Sequence, residues 1–528
     1  MRLRTLHALC TLMLFAVGSY AVPTKRLKAD WLSVGQEELK ESLHAEINEN
    51  IAKNVIMFLG DGMGISTITA ARIYKGQQLN EDAEGFKLSF DKFPHLALIK
   101  TYCEDRITPD SAATATAYLS GVKINKGVIG LDSRVAFGQC DDKYEESKVS
   151  SILKWSQQKG KSVGIVTTTR VTHATPAGTY AHTPKRDWEC DANMPNDTAS
   201  WCKDIASQLV EDNPDINVIL GGGRTKFLPQ EMADPEYENK TGERRDHKNL
   251  IQTWLKNQQA KKRSAKYVWN QEEFQKVDPK TTDYLFGLFE PSHLQYEMNR
   301  ETAKNKDPSL SELAVKAVQI LQKNKNGFFL LVEGGRIDHG HHNNVAKAAL
   351  TETVSFDDAI ISVQNLVNVE DTLIVVTADH SHVFNLAGYP PRGTNLLDTV
   401  PIGEEEKSPL DNKPMTILVY GNGPGYQSPR QNITDVDTSS DTYIQQSAVP
   451  LEFDTHAGDD VPIYAIGPMS HLFKGVKEQN FIALAMGYAS CVNGDMSHCT
   501  TSAVGQSHLV PSTFVFMLLQ ILINPISH

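Results

Sequence analysis

Short runs of apolar, β-prone residues recur along this chain, and they leave few ways to fold it. They occupy residues 55–59, 163–168, 218–220, 328–332, 372–377, 417–420 and 461–466. Each run is continuous rather than alternating, so both faces of the strand have to be buried. That is the mark of a largely parallel sheet with helices on both faces. Residues 151–158 and 345–367 read as two of those helices, and residues 36–49 as an amphipathic helix ahead of the first strand. The expectation is an α/β fold around one central sheet, and 528 residues leave room for insertions. Two stretches read as such insertions. Residues 231–306 are polar and charged, and residues 389–453 are rich in Gly, Pro and Ser around one apolar strand.

Both ends of the chain read as processing signals. Arg2 and Arg4 precede an apolar segment, and Ser19-Tyr20-Ala21 offers a small-x-small cleavage site, so residues 1–21 read as a secretory signal. Near the other end, Thr501, Ser502 and Ala503 precede a polar spacer and an uncharged apolar block over 514–523. That order is expected of a tail, residues 503–528, exchanged for a glycolipid anchor; a buried terminal helix is the competing reading. An extracellular route suits the cysteines. Cys10 leaves with the signal, and Cys103, Cys140, Cys190, Cys202, Cys491 and Cys499 remain, an even set with no C-x-x-C spacing. Sequons at Asn196, Asn239 and Asn432 would carry glycans. A net charge of -12 argues against the basic surface that a nucleic-acid partner requires.

The polar residues of interest stand just after the apolar runs, where ligands bind in open α/β sheets. Asp61 follows the first run, and His173 and Thr175 follow the second. Glu333, Asp338, His339 and His342 follow the run at 328–332, and Asp379, His380 and His382 the run at 372–377; His456 comes late in the chain. One helical turn would aim Asp338 and His342 at a single ion, and mixed imidazole and carboxylate donors suit zinc. Pro109-Asp110-Ser111 opens a run of strong helix formers, placing Ser111 at a helix N-terminus, a natural seat for phosphate.

Six motifs, in order, resemble those of animal alkaline phosphatases: Asp61-Gly62-Met63-Gly64, residues 110–115, residues 173–178, residues 333–342, residues 377–382 and Thr455-His456-Ala457-Gly458. The resemblance implies a catalytic domain over 22–502, with the 389–453 insertion as a crown. It implies hydrolysis of small phosphate monoesters through a phosphoserine at Ser111, with broad leaving-group specificity and an alkaline pH optimum. One zinc would be held by Asp338, His342 and His456, a second by Asp61, Asp379 and His380 beside Ser111, and a magnesium ion by Asp61, Thr175 and Glu333. His382 would be an accessory zinc-site residue, His173 and His339 would stand just behind the ligands, and Arg186 would clamp the phosphate. The family also implies bridges Cys140–Cys202 and Cys491–Cys499, leaving Cys103 and Cys190 as a third bridge or as thiols. A calcium site from Glu236, the Phe289 carbonyl, Glu290 and Asp307, a homodimer, and a glycolipid-anchored position on the outer face of the plasma membrane complete the implied picture.

Overall fold

The computed structural model describes residues 31–44, 46–199, 201–303, 306–400, 410–494 and 496–499. The signal and anchor segments lie outside the described residues. No helix among the described residues is long and apolar enough to cross a membrane. Residues up to Glu46 form one unit and those from Ile47 onward another. The first contains a helix, Trp31–Leu43, none of whose residues is buried. It starts and stops earlier than the sequence pattern implies. Beyond it, the Asn48 side chain accepts from the Asn50 amide, a local turn that competes with helix.

In chain order the strands of the larger unit begin with β1 (Asn54–Gly60), β2 (His95–Lys100), β3 (Ser162–Arg170), β4 (Val218–Gly222) and β5 (Ala265–Val268). Then come β6 (Tyr284–Leu288), β7 (Phe328–Gly334), β8 (Thr372–Ala378), β9 (Ser381–His382) and β10 (Phe384–Leu386). The last are β11 (Leu418–Gly423), β12 (Ser447–Pro450), β13 (His456–Ala457), β14 (Val461–Ile466) and β15 (Gly475–Glu478). Ten of them form the central sheet in the order β15-β2-β14-β8-β1-β7-β3-β4-β6-β5. From β8 to β5 every pairing is parallel, and β14 runs antiparallel to both its neighbours. All residues of β1, β7 and β8 are buried, as unbroken apolar runs demand when both faces are covered.

Helices supply that cover through apolar stripes. Leu310–Leu321 buries Leu313, Ala314, Ala317, Val318 and Leu321, and packs against β3 and β7. Ser309 and Glu312 close its N-terminus as a reciprocal capping box. Such a cap contributes about 1 kcal/mol.

Two sequence expectations need correction, and the structure decides between two alternatives in a third case. The run at 417–420 is not a strand of the central sheet; as β11 it lies in a separate three-stranded sheet between β10 and β12. The stretch 231–306 is not only decoration, because its β5 and β6 extend one edge of the central sheet. Cys103 and Cys190 are not bridged but are buried thiols. Cys103 lies in an apolar cluster with Val128 and Trp188, and the Cys190 thiol donates to Asn193 Oδ1 at 3.2 Å. Disulfides join Cys140 to Cys202 and Cys491 to Cys499. Asn196, Asn239 and Asn432 are all exposed.

Candidate metal centre and nucleophile

Parallel pairing puts the C-terminal ends of β1, β3, β7 and β8 along one edge of the sheet, and the polar residues gather there. Asp61 follows β1 directly. Gly62 turns the chain with φ +69, and a Cβ there would stand 2.7 Å from the His382 ring, so only glycine fits. The Gly62 amide donates to Asp379 Oδ1 at 2.9 Å, tying the ends of β1 and β8 together.

Ser111 opens the helix Ser111–Ser120, every residue of which is buried. Asp110 caps it by accepting from the Ala113 amide at 3.2 Å. The Ser111 hydroxyl lies 3.2 Å from His380 Nε2 and 3.5 Å from Asp61 Oδ1. Beside it, Arg186 donates to Asp110 Oδ2 at 2.9 Å and meets His173 Nε2 at 3.2 Å. One cavity of ≈ 630 Å³ exposes Ser111, Arg186, His173, His339, His342 and His456 together.

Three imidazoles are held in one tautomer. His342 Nδ1 faces the Asp454 carbonyl at 2.6 Å, His456 Nδ1 the Pro109 carbonyl at 3.0 Å, and His380 Nδ1 the Ser381 carbonyl at 3.3 Å. Each Nδ1 therefore carries the proton, and each Nε2 presents a lone pair. Those lone pairs point at other acceptors. His342 Nε2 is 3.2 Å from His456 Nε2 and 3.3 Å from Asp338 Oδ2, and His380 Nε2 is 3.0 Å from Asp379 Oδ2. Acceptors converging on acceptors need a cation between them. The buried oxygens Asp61 Oδ2, Asp379 Oδ2 and Glu333 Oε1 have no hydrogen-bond partner at all, an expensive arrangement unless a metal ion fills it.

Carboxyl energetics agree. Burial, then the charges of Asp379, Asp338 and Glu333, push the Asp61 carboxyl well above the usual range, and burial pushes Glu333 up to about 7. Burial would also raise Asp338, but His342, with His382 and His456 close beside it, holds it well below the usual range. Ligand atoms cluster as Asp338 with His380, His382 and His456; as Asp61 with Asp379 and His380; and as Asp61 with His173 and Glu333. The donor sets thus fit bound cations, with Asp61 common to two groups. Thr175 is buried, and its hydroxyl takes part in the hydrogen bonding around Glu333 and Tyr118.

Three placements add detail that the sequence did not give. His382 faces carboxylates on both nitrogens, Asp454 at 2.8 Å and Asp338 at 2.7 Å, so it orients Asp338 rather than offering a lone pair. His173 lies close to Asp61 and Glu333, and its Nδ1 is buried without a partner. His339 is pushed down to about 3 by burial and Arg336, and packs 4.3 Å from the His293 ring. Asp454 joins the site through the His342 and His382 contacts, which the sequence pattern does not announce. The ion pair of Asp110 with Arg186 spans 76 residues of sequence, so no local pattern announces it. Of the calcium candidates, Glu290 and Asp307 are buried together. Burial and then Glu290 push Asp307 up to about 8, while Glu236 is engaged by Arg224 at 2.7 Å.

Comparison with known proteins agrees with this geometry. The profile of the family described as "Alkaline phosphatase" matches residues 52–492. The tissue-nonspecific alkaline phosphatase of Gallus gallus is 47% identical over 97% of this chain and 99% of its own length. That of Homo sapiens is 50% identical over 90% of each. Among solved structures, the alkaline phosphatases of the Antarctic bacterium TAB5 and of Thermus thermophilus share the fold, with TM-scores of 0.59 and 0.60 at 23% identity. They cover 84% and 85% of this chain, and 100% and 93% of their own. This chain belongs to the alkaline phosphatase family and is a metal-dependent hydrolase of phosphate monoesters.

Proposed function

We propose that hydrolysis proceeds through a phosphoserine at Ser111. The observation that carries this reading is a buried hydroxyl at a helix N-terminus, facing the carboxylate–imidazole cage in a cavity that Arg186 also lines. Asp338, His342 and His456 would hold one zinc, Asp61, Asp379 and His380 a second, and Asp61, Thr175 and Glu333 a magnesium ion. Bound there, the cations lower the pKa of coordinated hydroxyl and water and offset charge on the attacking and leaving oxygens.

The chain's own groups do the rest. Arg186 grips two non-bridging phosphate oxygens with its planar fork, and Asp110 fixes that fork from behind. The free N–H groups at the start of the Ser111 helix face the same oxygens. Ser111 Oγ bonds to phosphorus as the ester P–O bond breaks and the alcohol leaves. Water then attacks phosphorus in line, the Oγ–P bond breaks, and inorganic phosphate departs with the serine restored. Recognition centred on the phosphate allows many leaving groups.

Ser111→Ala is the test. Turnover of p-nitrophenyl phosphate should fall to background with metal content retained, and acid quenching should trap no labelled phosphoprotein. Turnover within tenfold of the parent would refute the phosphoserine route. Elemental analysis of the purified enzyme should find zinc and magnesium in a two-to-one ratio, and another ratio would refute the ion assignment.

The same reading extends to calcium at Glu236, the Phe289 carbonyl, Glu290 and Asp307, supported by crowded buried carboxyls. A calcium-dependent rise in thermal midpoint should vanish in Asp307→Asn. It also extends to a glycosylated homodimer, with the Trp31–Leu43 helix and the 389–453 stretch as interface. A monomer mass in light scattering would count against the dimer. The tail would be exchanged for a glycolipid on the outer plasma membrane, and failure of phosphatidylinositol-specific phospholipase to release activity from membranes would count against the anchor.

A further inference from the structure

Next to the catalytic cavity lies a second one of ≈ 510 Å³, and the two share His339 and His342 as a common wall. The second cavity is also lined by His293, Tyr296, Arg336, Asn343 and Phe453, with no carboxylate among them. Arg336 supplies the one guanidinium among the lining side chains. Its guanidinium stacks 3.7 Å above the Tyr296 ring and meets His339 Nδ1 at 3.2 Å. Its Nε is buried with no hydrogen-bond partner. The other arginines around the site are neutralised, Arg186 by Asp110 and Arg170 by Glu189. Arg336 makes no such pair among the described residues.

In-line displacement fixes which side of the phosphorus this cavity serves. Ser111 Oγ attacks from the side of His380 and Asp61, so the leaving oxygen points toward Asp338, His342 and His456. A substituent on that oxygen passes His342 and arrives beside Arg336.

We propose that the Arg336 cavity is a leaving-group subsite that favours phosphate monoesters whose alcohol carries a second anion, a carboxylate or a further phosphate. This rests on the phosphoserine reading, which sets the direction of departure. The planar fork supplies paired donors to either anion, Tyr296 holds its plane, and Phe453, 54% exposed, offers an apolar wall for the body of the alcohol.

The test compares phenyl phosphate, 4-carboxyphenyl phosphate and 1,4-phenylene bisphosphate on the metal-loaded enzyme. In Arg336→Gln, kcat/KM for one or both anionic substrates should fall about tenfold relative to phenyl phosphate, chiefly through KM. Which of them falls identifies the anion served. Phe453→Glu, at the exposed rim, should shift selectivity the same way, and Phe453→Gln should not; this pair stands if Arg336→Gln fails to fold. Equal losses on all three substrates, or ratios unchanged within twofold in both charge variants, overturn the proposal. Absence of Ser111-dependent phenyl phosphate turnover in the parent would instead overturn the reading beneath it.

Discussion

Glu333→Gln, studied in protein stripped of metal, exposes the cost of the carboxylate cage most directly. Burial lifts the Glu333 carboxyl from 4.5 to about 7, with Asp379 adding to the rise. A folded-state value above the unfolded one contributes stability that is fully present below the unfolded value. It is lost as pH climbs through the folded value. At ~1.36 kcal/mol per pKa unit the whole loss is about 3 kcal/mol, most of it falling between about pH 5 and about pH 8. His342, held up to about 9 by Asp338 against burial, changes in the same direction and cancels in the comparison, whereas Asp61, which the Glu333 charge helps to raise, relaxes in the variant and adds to the difference. The assay is urea unfolding of chelated parent and variant at several pH values. Near pH 5 the two should unfold together; near pH 8 the variant should be the more stable by about 2–3 kcal/mol. Restoring zinc and magnesium should reverse that order, because the glutamine cannot neutralise a bound cation. Midpoints that fall in parallel across the range would refute the reading of Glu333 as a buried, uncompensated anion.

Two further outcomes follow from packing. Cys103 and Cys190, whose thiols burial pushes up, the second to about 11, should resist maleimide in the native protein and react once it is unfolded; mapped modification before unfolding would contradict their burial. Arg224 is fully buried between Asp234 and Glu236, so Arg224→Met should cost about 3–5 kcal/mol in urea unfolding, and a loss below about 1 kcal/mol would show the pair to be dispensable.

The central sheet was legible because β1, β7 and β8 are buried on both faces and so have to be written as unbroken apolar runs. β2 and β15 were not, since His95–Lys100 is only partly buried and Gly475–Glu478 is a four-residue edge strand. Periodicity carries no signal for strands so lightly covered. At the site, residues directly following strands could be placed from the pattern alone. Asp454, which fixes both His342 and His382, acts through tertiary contacts 112 and 72 residues away, and no local pattern records them. The sharing of His339 and His342 by two cavities is equally invisible before the chain is folded.

The late position of His456 sets a timetable for the whole molecule. Its ring stacks on His380 at 3.5 Å and rests on the Pro109 carbonyl, and β14, which follows it, is wedged between β8 and β2. A ribosome-bound chain therefore has its nucleophile, its arginine and most of its cage long before the piece that closes them. Competence should switch on abruptly as the segment through β14 emerges from the tunnel, and arrested chains ending short of His456 should stay inert however much metal is supplied.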